Sequence, residues 1–334
     1  MGSRAEPRGV DSPLNMSTGA SSAPSGRCPQ CEYANRPEAL FCAACGAPLV
    51  PTRQIAASLA RERAAVRRGS VAKAAVWTRL PPGDRGANWQ AYGLSNVGHQ
   101  RRNNEDSVLV TPVHGGGWLL IVADGMGGAE AGEIASSTSA VLVRELIENH
   151  LIIDPDPASD HRPSLAQAIG AANSGLYQRA VSHPDLRGMG STLTVALVLG
   201  LCVEIAHVGD SRAYRCTAGG ELQQLTLDHS MVEHLVRLGQ ITPEEALDHP
   251  LRNQLYRAVG TDPAVEVDTF LYALQPTDRL LLCTDGLTLH CTDAEIAALL
   301  ARATSPERAA HALISLTLER GAEDNVTVAV LMGV

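Results

Sequence analysis

Three apolar runs in this 334-residue chain stop at an acidic residue beside glycine, and a fourth acid stands just ahead of another such run. Leu119–Ala123 leads into Asp124-Gly125, Leu280–Thr284 into Asp285-Gly286 and Val203–Val208 into Gly209-Asp210, while Asp324-Asn325 precedes Val326–Leu331. Short runs of mostly branched apolar residues bounded by glycine read as buried strands. Carboxylates at the ends of several such strands can converge on one rim of a sheet, where only a cation makes their closeness tolerable. Taken singly, each acid is an ordinary turn former, because Asp-Gly suits tight turns. Four of them, together with the Asn-Asn-Glu-Asp cluster at Asn103–Asp106, point instead to a site for hard metal ions.

The chain has room for one large domain or two ordinary ones. With 45% apolar but only 3% aromatic residues, its core must be built from Leu, Val, Ile and Ala. No apolar run reaches the roughly 18 residues of a membrane span, and the longest, Leu193–Ala206, carries Glu204. Met1–Arg27 is rich in Gly, Ser, Pro and charge rather than apolar residues, so no secretory leader is expected and the expected compartment is the cytoplasm. The net charge of −9 is uneven: residues 1–88 hold 12 Lys/Arg against 6 Asp/Glu, and the remainder 15 against 30. An acidic main domain argues against nucleic acid as its partner.

Residues 1–27 are polar and expected to be disordered. Cys28-x-x-Cys31, ten residues, then Cys42-x-x-Cys45-Gly46 is a paired arrangement whose four thiolates would close a tetrahedral zinc site. A redox dithiol usually has one CxxC within a βαβ pattern, which is missing here. Residues 28–50 thus read as a structural zinc ribbon, a candidate protein-docking module. The other four cysteines, Cys202, Cys216, Cys283 and Cys291, read as reduced thiols, at least two of them core residues. Residues 51–88 read as a basic linker with a thin helical stripe in Arg53–Val76, and the large domain is expected over 89–334.

Within that domain, strands and helices follow in an α+β order. Ser164 with Gln167, Ser230 with Glu233, Thr242 with Glu245 and Thr292 with Glu295 fit the capping box, and Ser305-Pro306 marks another helix start. Leu165, Ile169, Ala172, Leu176 and Ala180 give one helix an apolar face; Ile134, Thr138, Val141, Leu142 and Leu146 predict a second.

Six short motifs carry a resemblance: Arg101-Arg102-Asn103-Asn104-Glu105-Asp106, Asp124-Gly125-Met126-Gly127-Gly128, Gly190-Ser191-Thr192, Gly209-Asp210-Ser211-Arg212, Thr284-Asp285-Gly286 and Glu323-Asp324-Asn325. In order and approximate spacing, residues 90–334 resemble the metal-dependent serine/threonine phosphatases of the protein phosphatase 2C (PPM) family, bacterial branch. The resemblance implies an αββα sandwich with two Mn²⁺ or Mg²⁺ ions at one end of the strands. It also implies that Asp124 bridges both ions, that Asp285 and Asp324 complete one, and that the Gly125 carbonyl and the Glu105/Asp106 pair serve the other. Arg101 would bind substrate phosphate, a water acidified by the two cations would attack in line, and Asp210 would hold a weaker third metal. The implied substrates are phosphoproteins made by serine/threonine kinases.

Two positions depart from the family. Met126 stands where relatives outside bacteria often carry a proton-donating His, which leaves protonation of the leaving group to water or to another group such as Asp106. Leu289 stands where relatives commonly carry an acid, which weakens the case for the third metal. The competing reading, a catalytically silent phosphoprotein-binding scaffold, predicts lost core carboxylates, yet Asp124, Asp285 and Asp324 are all present.

Overall fold

The computed structural model describes residues 27–36, 39–42, 44–51, 53–55, 57, 88–127, 130–153 and 164–333. The expected disorder before Arg27 and nearly all of the expected basic linker lie outside these residues, as does Gly128; residues 53–55 are helical.

Two antiparallel sheets stack face to face. One has the order β1–β11–β10–β7–β8: β1 is Trp89–Asn96, β7 Arg212–Cys216, β8 Leu222–Gln224, β10 Arg279–Cys283 and β11 Val326–Gly333. The other runs β2–β3–β5–β6–β9: β2 is Asp106–Pro112, β3 Trp118–Met126, β5 Leu193–Leu199, β6 Cys202–Val208 and β9 Asp268–Ala273, with the short β4, Gly190–Ser191, paired to the end of β3. Helices α1 (Ala131–Ile153) and α2 (Leu165–Ser182) cover the second sheet. Helices α6 (Asp293–Arg302) and α7 (Pro306–Glu319) cover the first. The layer order is αββα.

This stacking explains why the central strands are apolar throughout rather than alternating. Leu119, Ile121 and Ala123 of β3 face the helix layer, while Leu120 and Val122 face the opposite sheet. In β10, Leu281 and Cys283 point to the helices and Leu280 and Leu282 between the sheets. Strands buried on both faces have no polar side to present. Cys216, Cys283 and Cys291 are buried thiols of this core, and Cys202 is partly exposed.

Helix starts follow the sequence. Reciprocal capping boxes form at Ser164/Gln167, Thr242/Glu245 and Thr292/Glu295, and Ser305 caps α7. Ser230 accepts from the Glu233 N–H at the start of α3, Met231–Arg237. The α2 face is buried as expected. The α1 face is rotated in part from expectation: Ile134 and Leu142 pack partly buried against the core, but Val141 and Leu146 are 40% and 39% exposed, and Ala135, Ser136, Ser139, Ala140, Val143, Ile147 and Leu151 form the buried stripe. Small residues let α1 lie close to the sheet, and a search for large apolar residues passes over them.

Candidate active site

The acidic residues gather at one end of the sandwich. Asp106 opens β2 directly opposite Asp124 near the end of β3. Asp210 follows β6, Asp285 follows β10 and begins the short helix α5 (Asp285–Thr288), and Asp324 precedes β11. Both sheets therefore contribute. A cleft of about 590 Å³ opens there, lined by Arg101, Glu105, Asp124, Gly125, Met126, Asp210, Asp285 and Asp324 together with the segment Asn253–Ala258. Asp106 is buried and does not form part of that lining.

The two Asp-Gly pairs are not hairpin turns. A side chain on Gly125 would collide with the Gly132 carbonyl, and one on Gly286 with the Asn325 carbonyl. Glycine is needed because another backbone passes directly over each position.

Side chains with no sequence-assigned role hold the acids in place. The Asp124 N–H donates to Thr192 Oγ1 (2.8 Å), and its carbonyl accepts from the Thr192 N–H (2.8 Å) and from Ser191 Oγ (3.0 Å). That is the role of the Gly190-Ser191-Thr192 motif. Asn325 pins the loop before β2: its Nδ2 donates to the carbonyls of Val97 (2.9 Å) and Asn103 (3.0 Å), and its Oδ1 accepts from the Glu105 N–H (2.8 Å). Thr284 Oγ1 donates to Asp106 Oδ2 (2.9 Å).

Electrostatics make this rim unfavourable for bare carboxylates. Burial raises the Asp124 carboxyl well above the usual range, and Asp106, Asp285, Asp210 and Asp324 add repulsion. Burial pushes Asp106 up to about 7 despite hydrogen bonds from Thr327 and Thr284, with Asp285 and Asp324 repelling it. Asp285 rises to about 6 through burial and the neighbouring Asp324. Asp210 is also raised well above its ordinary value, by burial and then by Asp285 and Asp228. Burial raises Glu105, which Arg101 partly offsets. Among the described residues, Asp106 Oδ1 and Asp285 Oδ1 are buried and accept no hydrogen bond. Acceptor-only oxygens without donors, in a set this repulsive, suit hard divalent cations.

Arg101 lies at the mouth of the cleft with its side chain 52% exposed, and its Nη2 is 2.7 Å from Asp324 Oδ2. Met126, at the end of β3, is half-buried in the wall. Leu289 ends α5 and is 47% exposed.

The Asn253–Ala258 part of the lining is anchored by a buried polar network that no sequence pattern singles out beyond its position beside the Ser230 cap. Arg257 Nη1 is 2.7 Å from Asp268 Oδ1, and His229 Nε2 is 3.2 Å from Asp268 Oδ2. His229 Nδ1 accepts the Gly209 N–H (3.0 Å), next to Asp210. Arg212 grips Asp228 through Nε and Nη2.

A second metal-competent cluster lies apart from the cleft. The sulfurs of Cys28, Cys31, Cys42 and Cys45 all lie within 4.8 Å of one another, with Cys28–Cys45 at 3.6 Å and Cys31–Cys42 at 3.5 Å. Four sulfurs about 2.3 Å from a zinc ion stand roughly 3.8 Å apart, close to this spacing. Burial pushes the Cys42 thiol up, but the main-chain N–H groups of Cys45 and Ala44 outweigh it and bring the group down to about 6. Among the described residues, this is the single group of three or more His, Cys, Asp or Glu whose ligand atoms converge in this way; the carboxylates are more widely spread.

Both parts of the chain resemble known proteins. Residues 96–319 match the protein phosphatase 2C family and residues 27–49 a zinc-ribbon domain. The chain is 39% identical over 231 residues to the serine/threonine phosphatase stp of Listeria welshimeri, spanning 69% of this chain and 90% of that one. It is 42% identical over 238 residues to the serine/threonine protein phosphatase PstP of Mycobacterium tuberculosis, spanning 71% of this chain and 43% of the relative. The crystal structure of the latter enzyme superposes with a TM-score of 0.65 at 39% identity, over 73% of this chain and 98% of the other. A PstP catalytic domain in complex with two manganese ions superposes with a TM-score of 0.62 at 37% identity, over 74% and 98%.

Proposed function

The chain belongs to the protein phosphatase 2C family, and we propose that its cleft hydrolyses phosphoserine and phosphothreonine in proteins with the strand-end carboxylates as the metal-holding set. It is a serine/threonine phosphatase of the metal-dependent kind, as its relatives' names and the manganese-bound neighbour support. Asp124, Asp285 and Asp324 are the residues that would hold two Mn²⁺ or Mg²⁺ ions, with the Gly125 carbonyl and Glu105 beside them. Asp106, buried outside the cleft lining and accepting from Thr284, fits a supporting position beside this set. Asp210 is the candidate for a third, weaker ion. When bound, the cations neutralise phosphoryl charge and make a water acidic enough to attack phosphorus near neutral pH.

The protein's own groups do the rest. Ser191 and Thr192 lock the Asp124 main chain, so its carboxylate keeps one position as substrate enters. Arg101, half exposed at the mouth, presents a guanidinium fork that matches two phosphate oxygens, and Asp324 steers it toward the cleft. Met126 offers no proton, so the leaving alkoxide is protonated by water or another group.

We divide the chain into a ribbon over 28–50 that takes one zinc ion through Cys28, Cys31, Cys42 and Cys45, a linker over 51–88, and the phosphatase domain over 89–334. Among the described residues no helix is long and apolar enough to cross a membrane. A cytoplasmic role opposite serine/threonine kinases, in signalling, fits the reading.

The observation that carries it is the ring of acids drawn from both sheets onto one cleft, where Asp285 Oδ1 is buried and accepts no hydrogen bond. The test is release of phosphate from a phosphothreonine peptide with and without Mn²⁺. Full activity in excess chelator would remove the metal-dependent mechanism.

A further inference from the structure

The zinc ribbon does not hang free of the phosphatase domain. It sits on the segment between α3 and the Asn253–Ala258 lining of the cleft. The Leu40 N–H donates to Gln240 Oε1 (3.0 Å), and the Arg36 guanidinium donates to the Gly239 carbonyl. Gly46, at φ +72 in the second knuckle, packs so closely that a side chain there would come within 3.1 Å of Pro250 and 3.2 Å of Leu251. The buried His249 ring faces the Cys42 main chain. These contacts bracket helix α4, Pro243–Leu247.

Two residues beyond Leu251 the same stretch of chain becomes the wall: Asn253, Gln254, Leu255, Tyr256 and Arg257 all line the cleft. Its far end is well tied. The Met231 N–H donates to the Gln254 carbonyl (2.8 Å), the Tyr256 N–H to the His229 carbonyl (3.0 Å), and Arg257 is locked to Asp268. Its near end carries little of its own: α4 buries none of its residues, Leu238 and Leu247 are 43% and 64% exposed, and only Ile241 and His249 of residues 239–251 are buried. Such a segment has few apolar contacts to resist local opening.

We propose that the ribbon is a specificity-determining part of the phosphatase: folded around zinc, it clamps residues 239–251 and so fixes the wall that a phosphoprotein must meet beside its phosphorylated residue. The proposal rests on the phosphatase reading only for the nature of the substrate. A small aryl phosphate reaches the carboxylate rim without spanning that wall, whereas a polypeptide flanking the phosphate does not. The clamp therefore acts on binding of extended substrates and leaves the chemistry of the rim alone.

The test uses the full chain and the double variant Arg36→Ala with Gln240→Ala, which removes the two docking hydrogen bonds and leaves the four cysteines intact. Cys28→Ser with Cys31→Ser is the second variant and unmakes the ribbon itself. Zinc content, hydrogen exchange of peptides covering 239–257, and kcat and KM for a phosphothreonine peptide and for an aryl phosphate are measured on all three. The double variant is expected to keep its zinc, to exchange faster across 239–257, and to show a severalfold higher KM for the phosphopeptide with unchanged constants for the aryl phosphate. The cysteine variant is expected to lose zinc and to show the same changes, larger. Unchanged exchange in a zinc-loaded double variant, or faster exchange with an unchanged phosphopeptide KM, overturns the proposal. Absence of turnover in the native chain would sink the phosphatase reading instead, and the exchange data would still decide whether the ribbon holds the wall.

Discussion

In the ribbon, four sulfurs drawn from residues 28–45 lie within 4.8 Å of one another; on the rim of the sandwich, the carboxylates come from strand ends spread from Asp106 to Asp324 and stay further apart. The first set closes on itself, with Cys28 and Cys42 buried, and leaves no position for a substrate. The second opens on a cleft. Thiols can approach because Cys31 and Cys45, both raised above the ordinary thiol value, stay uncharged until metal arrives, and two short knuckles fix their geometry locally. Carboxylates repel, so only a fold whose two sheets are already packed can hold several of them at one end. A closed shell is what a structural ion needs, and an open, strained one is what chemistry needs.

The sharpest way to break this contrast is to remove a carboxylate. Asp124→Asn should lower turnover of a phosphothreonine peptide by about three orders of magnitude or more, because charge stabilisation at the reacting phosphate is lost. The domain should not unfold. In chelator its thermal midpoint should match or exceed that of the native chain, since the substitution relieves the repulsion that raises this group. A variant that retains turnover, or that melts well below native, would show that Asp124 is a structural residue.

The reverse experiment removes the thiols. Purified protein should carry about one equivalent of zinc, and Cys28→Ser with Cys31→Ser should release it. A chain beginning at Trp89 should still hydrolyse a small aryl phosphate, since the rim is assembled wholly from residues beyond that point. Metal analysis and steady-state rates decide the matter. Loss of small-ester activity on truncation would make ribbon and rim one catalytic unit.

The same contrast governs what could be read from the sequence. The ribbon was legible as a ribbon because its ligands are close in the chain and their spacing is itself the geometry. The strands were legible because each carries its own apolar run, and the rim because its acids recur at strand ends. Ser191, Thr192 and Asn325 stood within recognisable motifs, yet their work is to hydrogen-bond backbone far away in sequence, which no local pattern announces. The buried stripe of α1 is legible only in part, through Ile134 and Leu142, because closeness to a sheet selects Ala and Ser, whose signal is weak. The Arg257–Asp268–His229 network and the seating of the ribbon on 239–251 are products of tertiary packing alone.

A smaller effect separates the rim from the rest of the core by pH. The folded chain holds protons on Asp106 up to about 7 and on Asp285 up to about 6, both above the ordinary carboxylate value near 3.9. Groups raised on folding contribute stability that is fully present below their unfolded pKa and is lost as pH rises through the folded one. Metal-free protein should therefore lose this contribution between about pH 4 and pH 7. Burial works the other way on His207, pushed down to about 3, whose contribution is present above about 6.5 and lost as pH falls. Asp285→Asn isolates the rim: measured in chelator, the variant should be more stable than native at pH 7.5, and the advantage should shrink toward pH 5. A difference that does not change with pH would mean Asp285 is not held as a strained acid.

The finest distinction concerns one wall residue, Met126, which sits half-buried in the cleft at the end of β3. A thioether gives the departing oxygen no proton, so the native rate should fall steeply as the leaving group becomes more basic. Met126→His places a titratable ring on the same strand end. It should flatten that dependence and add an acidic limb to the pH–rate profile, as a general acid does. The change in rate on a good leaving group should be small, because such a group departs without help. A series of aryl phosphates with graded leaving-group pKa, run on both proteins, gives the two slopes directly. A native slope already as shallow as that of the His variant would mean that another group donates the proton. Arg101 lacks a transferable proton at neutral pH, and Asp106 does not form part of the cleft wall, so a water held in the cleft would then be the donor to trace, by a solvent isotope effect on the slowest esters.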